Sequence, residues 1–332
     1  MVIRLSNVLL KVLESDHSSC ERRGSYLELG EPRNPAAGAT ATSLTDLSMP
    51  LGTKSSDGFA QVDASARLNP EAPYAGLLII NADDWGREHE TSDRIFDCVA
   101  RRTVTSVSAM AFMEDSERAA EIARERGIDA GLHLNFTTPF SAPNCPGELA
   151  ERQREIAAYL LRRRLNQIVF HPGLARSFEY VVTAQLEEFR RLYGAQPERL
   201  DGHHHMHLCA NVLLADLLPP GTILRRNFSF QPGEKSFMNR LYRKAVDHRL
   251  ARRHRLVDFL FSLPPLEPRG RLERIRSLAR QFVVEVETHP IKSDEYRFLT
   301  GSDVARWTAD VPIAPRFDVP RRGPVLAKGE QR

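Results

Sequence analysis

Short apolar runs alternating with amphipathic stretches between residues 77 and 287 predict an α/β fold, a TIM-barrel-like (β/α) barrel. The β-like runs are brief and nearly continuous in apolar residues, as suits parallel strands covered on both faces. Turn residues fall between strands and helices rather than between paired strands, so the hairpin signature of an all-β protein is missing. About seven such strands fit a barrel, complete or incomplete, better than a short open sheet.

Leu77–Asn81 opens the series as a buried strand. Ser92–Arg102 follows as a helix with Ile95, Cys98 and Val99 on one face, and Val104–Phe112 is β-like. Ser116–Arg126 reads as a helix capped by Ser116 and ended by Gly127. Ala130–Leu134 is a strand, and Glu148–Leu165 and Phe178–Tyr193 are long helical patterns, the second stopped by Gly194. Arg199–Asp201 is a brief strand, Val212–Leu218 a helix and Thr222–Arg225 a strand. Ser236–Arg252 is helical, Val257–Leu263 a strand, Leu272–Gln281 helical and Phe282–Glu287 the final strand.

The flanks differ. Residues 14 to about 73 are dense in Gly, Ser, Ala, Pro and Asp, as in Pro35–Ser43 and Gly52–Asp57, and lack apolar periodicity. Such composition buries too little surface to order itself, so residues 1–73 read as a flexible extension and 312–332 as a flexible tail around a domain at 74–311. Asn7 and Lys11 interrupt the mildly amphipathic start, which argues against a signal peptide.

Composition excludes several classes. Apolar residues make up 42% and charged residues 27%, ordinary for a globular protein with a sizeable core. The formal net charge of +3 is scattered, and Arg-rich stretches such as Arg162–Arg164 and Arg249–Arg255 read as solvated helix faces, not a nucleic-acid footprint. No apolar run reaches the roughly 18 residues that cross a bilayer, so stable membrane insertion is not expected. Cys20, Cys98, Cys145 and Cys209 form no CxxC pair, which points to a reducing, cytoplasmic setting. A homodimer is the default oligomer.

Four polar segments each follow an expected strand: Asn81–Gly86, Gly131–Asn135, Asp201–His207 and Glu287–Pro290. Strand C-termini of parallel α/β folds converge at one face, where active sites form, so these distant residues are expected in one cleft. Asp83 and Asp84 are adjacent carboxylates leaving a buried strand, a costly pair unless a cation relieves them. Successive strand-end side chains diverge, so one can ligate a metal while the other reaches a substrate water. An Asp-Asp pair alone is more often a cap or turn, and a lone histidine such as His133 is more often a satisfied core residue. His203, His204, His205 and His207 form the most specific signal, because imidazole is the commonest neutral metal ligand near physiological pH. A strand-to-loop segment cannot aim all of them at one ion, so some ligate and the rest orient ligands or bind substrate. One Asp with two His leaves coordination positions open, as catalytic sites do. A histidine side chain can protonate a leaving amine, and His289 follows the last strand directly. Arg225, Arg226, Phe228 and Phe230 either line a sugar cleft or support the fold.

Together the segments Asn-Ala-Asp-Asp, Gly-Leu-His-Leu-Asn, Asp-Gly-His-His-His-Met-His and Thr-His-Pro resemble the YdjC-like carbohydrate deacetylase family, of the chitooligosaccharide or hopanoid-associated deacetylase type, from about Leu77 to Gly301. The resemblance implies a TIM-barrel-like fold and removal of N-acetyl groups from an acetylated sugar or glycolipid. It also implies a metal on Asp84, His133 and His203, with Asp83 as general base and His289 as general acid. Magnesium is the implied ion, although imidazole ligands favour zinc-type ions. Trp85 stands where the family has Phe, a change expected to alter only packing or sugar stacking. Two other readings remain beside it. A metal-dependent phosphoester hydrolase often needs a second metal, for which the expected strand ends supply too few carboxylates. A non-catalytic sugar-binding barrel requires neither Asp83 nor His289.

Overall fold

The computed structural model describes residues 76–317 apart from Pro232 and Pro315; the expected extension at 1–73 and the tail beyond 317 lie outside the described residues. The strands are β1 (Leu77–Trp85), β2 (Ser106–Ala109), β3 (Ala130–Leu134), β4 (Arg199–Gly202), β5 (Ile223–Leu224), β6 (Phe259–Ser262) and β7 (Val283–Thr288). They form one parallel sheet in the order β5-β4-β3-β2-β1-β7-β6. The crossovers carry α1 (His89–Ala100), α2 (Ser116–Arg126), α3 (Gly147–Arg162), α4 (Ala175–Tyr193), α5 (Ala210–Leu214), α6 (Phe237–Leu250) and α7 (Gly270–Ala279). Two helices that the periodicity did not signal, α8 (Ser293–Thr300) and α9 (Ser302–Thr308), follow β7.

The sheet curls. β5 and β6 end the strand order, yet Leu224 N donates to Arg255 O at 2.9 Å and Arg255 N donates to Thr222 O at 3.0 Å. Beyond them Ser229 N donates to Leu260 O at 2.9 Å, so the segments flanking β6 meet β5 and the chain following it. The expected barrel of about seven strands is therefore present as a strongly curled parallel sheet.

Alternation along the strands sorts the core into two compartments. Leu78, Ile80 and Ala82 of β1 join Val284 and Val286 of β7 in the large apolar cluster shared with the helices. Ile79 and Val283 instead meet Ile223, Val257, Ala314 and Phe317 in a separate small cluster. The remaining inward positions are polar: Asn81, Ser108, Arg199, Asp201, Arg225 and Glu285 are all buried and hydrogen-bonded to one another in pairs. The curled sheet thus encloses an apolar layer and, nearer the strand C-termini, a polar one.

Several ends differ from the sequence reading for identifiable reasons. β2 is shorter than Val104–Phe112, because the chain bends after Ala109 and Phe112 takes a left-handed φ of 59°. Ser116 does not cap α2: its hydroxyl donates to Met110 O and accepts from Met113 N, while Asp115 occupies the cap position. Gly127 and Gly194 do end α2 and α4, with left-handed φ of 64° and 77° that suit glycine. Ser236 caps α6 by accepting from Asn239 N at 3.2 Å. No helix among the described residues is long and apolar enough to cross a membrane.

Candidate metal centre

Asp84 sits where β1 loses its regular register with β2, between Ala82 and Trp85, and has a φ of 69°. Successive strand residues ordinarily face opposite ways. The irregularity turns Asp84 to the same side as Asp83, a known use of a bulge beside a functional site. His133 arrives on β3, in register with Asp201 of β4, and His203 follows β4 directly. One ligand atom from each of Asp84, His133 and His203 lies within 4.8 Å of the others, and all three side chains are buried. His203 Nδ1 is 2.9 Å and His133 Nε2 3.4 Å from Asp84 Oδ1.

These contacts fit a shared cation better than ordinary pairing. Asp84 Oδ1 and His133 Nε2 are buried without a hydrogen-bond partner despite those short approaches, so the atoms converge without lining up along an N–H axis. Burial would raise the Asp84 carboxyl, but the His133 and His203 rings outweigh it and hold it well below the usual carboxylate range. His133 Nδ1 lies 2.7 Å from Asp201 Oδ1. Asp201 is itself held ionised, burial being outweighed by Arg225 and His133, so Nδ1 must donate and Nε2 is left facing Asp84. This carboxylate–histidine pairing is the usual outer support of a metal-ligating imidazole. Burial opposes charge on His133, yet Asp83 and Asp201 push its pKa up to about 10. Arg87 Nη1 donates to Asp84 Oδ2 at 3.2 Å, which leaves Oδ1 to face the two rings.

Asp83 has a different environment. Arg225 donates from Nη1 to Asp83 Oδ2 at 2.6 Å and from Nη2 to Oδ1 at 2.8 Å, and Asn81 Nδ2 donates to Oδ1 at 2.9 Å. The same guanidinium reaches Glu285 Oε1 at 2.7 Å, Asp201 Oδ2 at 3.0 Å and Glu287 Oε2 at 3.3 Å. Two further groupings, Asp83–His133–Asp201 and Asp83–Glu287–His289, also lie within 4.8 Å. Both contain carboxylates paired with the buried Arg225, whereas Asp84 pairs through Oδ2 alone with the part-exposed Arg87 and keeps Oδ1 for the rings. The Asp84 group is accordingly the best placed to hold an ion.

The histidine cluster divides its work. His204 and His205 adopt left-handed φ of 55° and 57°, which separates the directions of neighbouring rings. His204 is exposed, with its Nδ1 3.0 Å from Thr137 Oγ1. His205 Nε2 is 3.1 Å from Glu287 Oε2, with its ring edge-on to Phe228. His207 is fully buried, 2.9 Å from Arg225 O, and a Cβ on Gly202 would come within 3.0 Å of it. His207 therefore has a structural place and faces neither the candidate ion nor solvent. His289 is partly buried beside Asp83 and Glu287; its backbone N donates to Glu295 Oε2 at 2.7 Å and its Nδ1 has no partner.

The stretch Arg225–Phe230 also separates. Arg225 is internal and Arg226 pairs with Asp247 at 2.7 Å, so both support the fold. Phe228 lines a cavity of about 350 Å³ with His204, His205, Asn227 and Tyr242. Trp85 is fully buried and its indole donates to Ala119 O at 3.2 Å, so it packs and does not stack on a ligand.

Fold and site together define a curled parallel β/α half-barrel with a candidate Asp-His-His cation site at the strand C-termini. The model of the YdjC-like protein family matches residues 77–310, and the chain belongs to that family. A carbohydrate deacetylase of Mus musculus is 32% identical over 144 residues, covering 41% of this chain and 44% of the relative. A chitooligosaccharide deacetylase of Proteus mirabilis (strain HI4320) is 29% identical over 134 residues, covering 40% of this chain and 51% of the relative. The chain thus spans about half the length of the curated relatives it matches. A crystal structure from Enterococcus faecalis V583, provisionally described as a cellobiose-phosphate cleavage protein, shares the fold at 18% identity. It has a TM-score of 0.54 and covers 73% of this chain and 97% of the other.

Proposed function

We propose that this chain is a metal-dependent hydrolase that removes the N-acetyl group from an acetylated amino sugar. The observation that carries the reading is the convergence of Asp84 Oδ1, His133 Nε2 and His203 Nδ1 beside a carboxylate, Asp83, held in one orientation by Arg225. The names of the family relatives, carbohydrate and chitooligosaccharide deacetylase, supply the reaction.

Asp84, His133 and His203 would hold a divalent ion, which would supply Lewis acidity for an acetamide carbonyl and an attacking water. Asp83 Oδ1 accepts from Asn81 and Arg225, and Oδ2 accepts from Arg225 alone. A carboxylate offers about four lone-pair positions. One on Oδ2 is left to take the proton of the attacking water. His289, on the Glu287 side of Asp83, passes a proton from its ring to the departing sugar amine. Acetate and a free amino sugar leave. His205 and Phe228 border the cavity beside these groups, where an aromatic face suits a sugar ring. Two imidazoles with one carboxylate favour a zinc-type ion over magnesium by donor softness, against the magnesium that the family resemblance implies.

Acetate release from a panel of N-acetyl amino sugars tests the reading, with chelator treatment followed by add-back of zinc or magnesium. Release that stops on chelation and returns with one of these ions supports it. Phosphate release from phosphoesters without acetate release would move the assignment to phosphoester hydrolysis. Tight sugar binding without turnover would move it to a binding protein.

A further inference from the structure

Beyond catalysis, we propose that the rim of this cleft docks on an anionic lipid surface. The turn between α3 and α4, through Arg164, Gln167 and Ile168, and the start of α6, through Asn239, Tyr242 and Arg243, wall the cavity that His204 and His205 border. Both segments therefore stand at the mouth of the cleft. Large apolar side chains project from both. Leu161 is 58% exposed and Val169 45% on one side; Phe237 is 67% exposed and Leu241 48% on the other, with Met238 beside them.

On α6 the outward positions Phe237, Leu241, Lys244 and His248 follow helical spacing, opposite the buried Val246 and Leu250. Phe237 and Leu241 thus point away from both core and cavity. The charges around them are mostly cationic, with the exposed Glu234 before α6 facing Arg274 at 3.8 Å. Arg162, Arg163 and Arg164 at the end of α3 and Lys244 on α6 are exposed, and among the described residues none has a carboxylate within ion-pair distance. No Asp or Glu lines the cavity.

Apolar side chains among exposed cations match the two layers of an anionic bilayer surface: headgroup phosphate for Arg162, Arg163 and Arg164, the acyl boundary for Phe237 and Leu241. A second copy fits less well, since a two-fold contact would bring this mainly cationic patch against itself. Docking in this way leaves the chain outside the bilayer with its cleft facing it, and does not depend on the reaction at the site.

Sedimentation with vesicles tests the proposal, comparing pure phosphatidylcholine with phosphatidylcholine containing phosphatidylglycerol. The full chain is expected to partition at least tenfold more onto the phosphatidylglycerol vesicles, with binding falling as salt rises. The double variant Phe237→Asp, Leu241→Asp is expected to lose at least tenfold of that binding while keeping the wild-type thermal midpoint. Arg162→Gln with Arg163→Gln should lose the salt-sensitive part. Equal partitioning onto both vesicle types, or an aspartate variant that binds as well as wild type, overturns it. So does a wild-type dimer that the aspartate variant converts to monomer without lipid, since the occupant is then a second copy.

Discussion

Arg225 and Asp83 form a two-pronged pair inside the curled sheet, Nη1 on Oδ2 at 2.6 Å and Nη2 on Oδ1 at 2.8 Å, with both side chains almost wholly buried. Arg225 also meets Asp201, Glu285 and Glu287, so one guanidinium offsets several buried carboxylates while fixing the plane of Asp83. Lysine keeps the charge without the planar fork. Arg225→Lys is therefore expected to fold and bind metal, but to lower kcat by about a hundredfold with a smaller change in KM, because Asp83 loses its orientation. Arg225→Met leaves buried carboxylates uncompensated and is expected to lose about 3–5 kcal/mol of stability. Steady-state kinetics and urea unfolding read the two effects separately.

Asp83 and Asp84 are neighbours in sequence with opposite partners, Arg225 for the first and the His133 and His203 rings for the second. Asp84→Ala is expected to abolish both metal binding and turnover. Asp83→Ala is expected to bind metal within a few fold of wild type and lose turnover. Titration calorimetry with zinc on both variants measures the split, and equal loss of metal affinity contradicts the division of roles.

Asp201 touches no candidate ion directly, yet it sets which nitrogen of His133 faces Asp84. Outer carboxylates of this kind are worth roughly 10–100-fold in metal affinity. Asp201→Asn is expected to weaken metal binding within that range while leaving Asp84 and His203 in place. An unchanged affinity would show that the His133 ring is oriented by its strand alone.

Much of this was legible in the sequence. Alternating strand and helix signals located the elements, and the polar segments after the strands marked the residues that meet at one end. The turn of Asp84 was not legible, because its φ of 69° is imposed by the lost pairing register with β2, a tertiary matter. Nor could local pattern say which histidine does what, since left-handed backbone at His204 and His205 sends neighbouring rings to different partners. The role of Arg225 was missed although a signal existed. Glu285 and Glu287 stand two apart among valines, and Arg199 and Asp201 flank Leu200. Charges at alternate positions of a short strand share one face, and inside a curled parallel sheet that face is the interior.

Glu285 carries the last prediction. It is fully buried, its Oε1 accepts from Arg225 Nε at 2.7 Å, and its Oε2 has no partner. Burial outweighs the nearby Arg225 charge and pushes its pKa up to about 7, from an ordinary 4.5. Folding therefore favours the protonated form. The stability this contributes is fully present below pH 4.5 and is lost as the pH rises through about 7. Glutamine keeps the acceptor for Arg225 Nε and cannot ionise. Relative to wild type, Glu285→Gln is expected to gain about 3 kcal/mol on moving from acid to mildly alkaline buffer, at 1.36 kcal/mol per unit of pKa difference. Urea midpoints of both proteins at the two pH values give the difference directly. A gap that stays constant with pH would mean that folding leaves the Glu285 pKa at its ordinary value, with Arg225 offsetting the effect of burial.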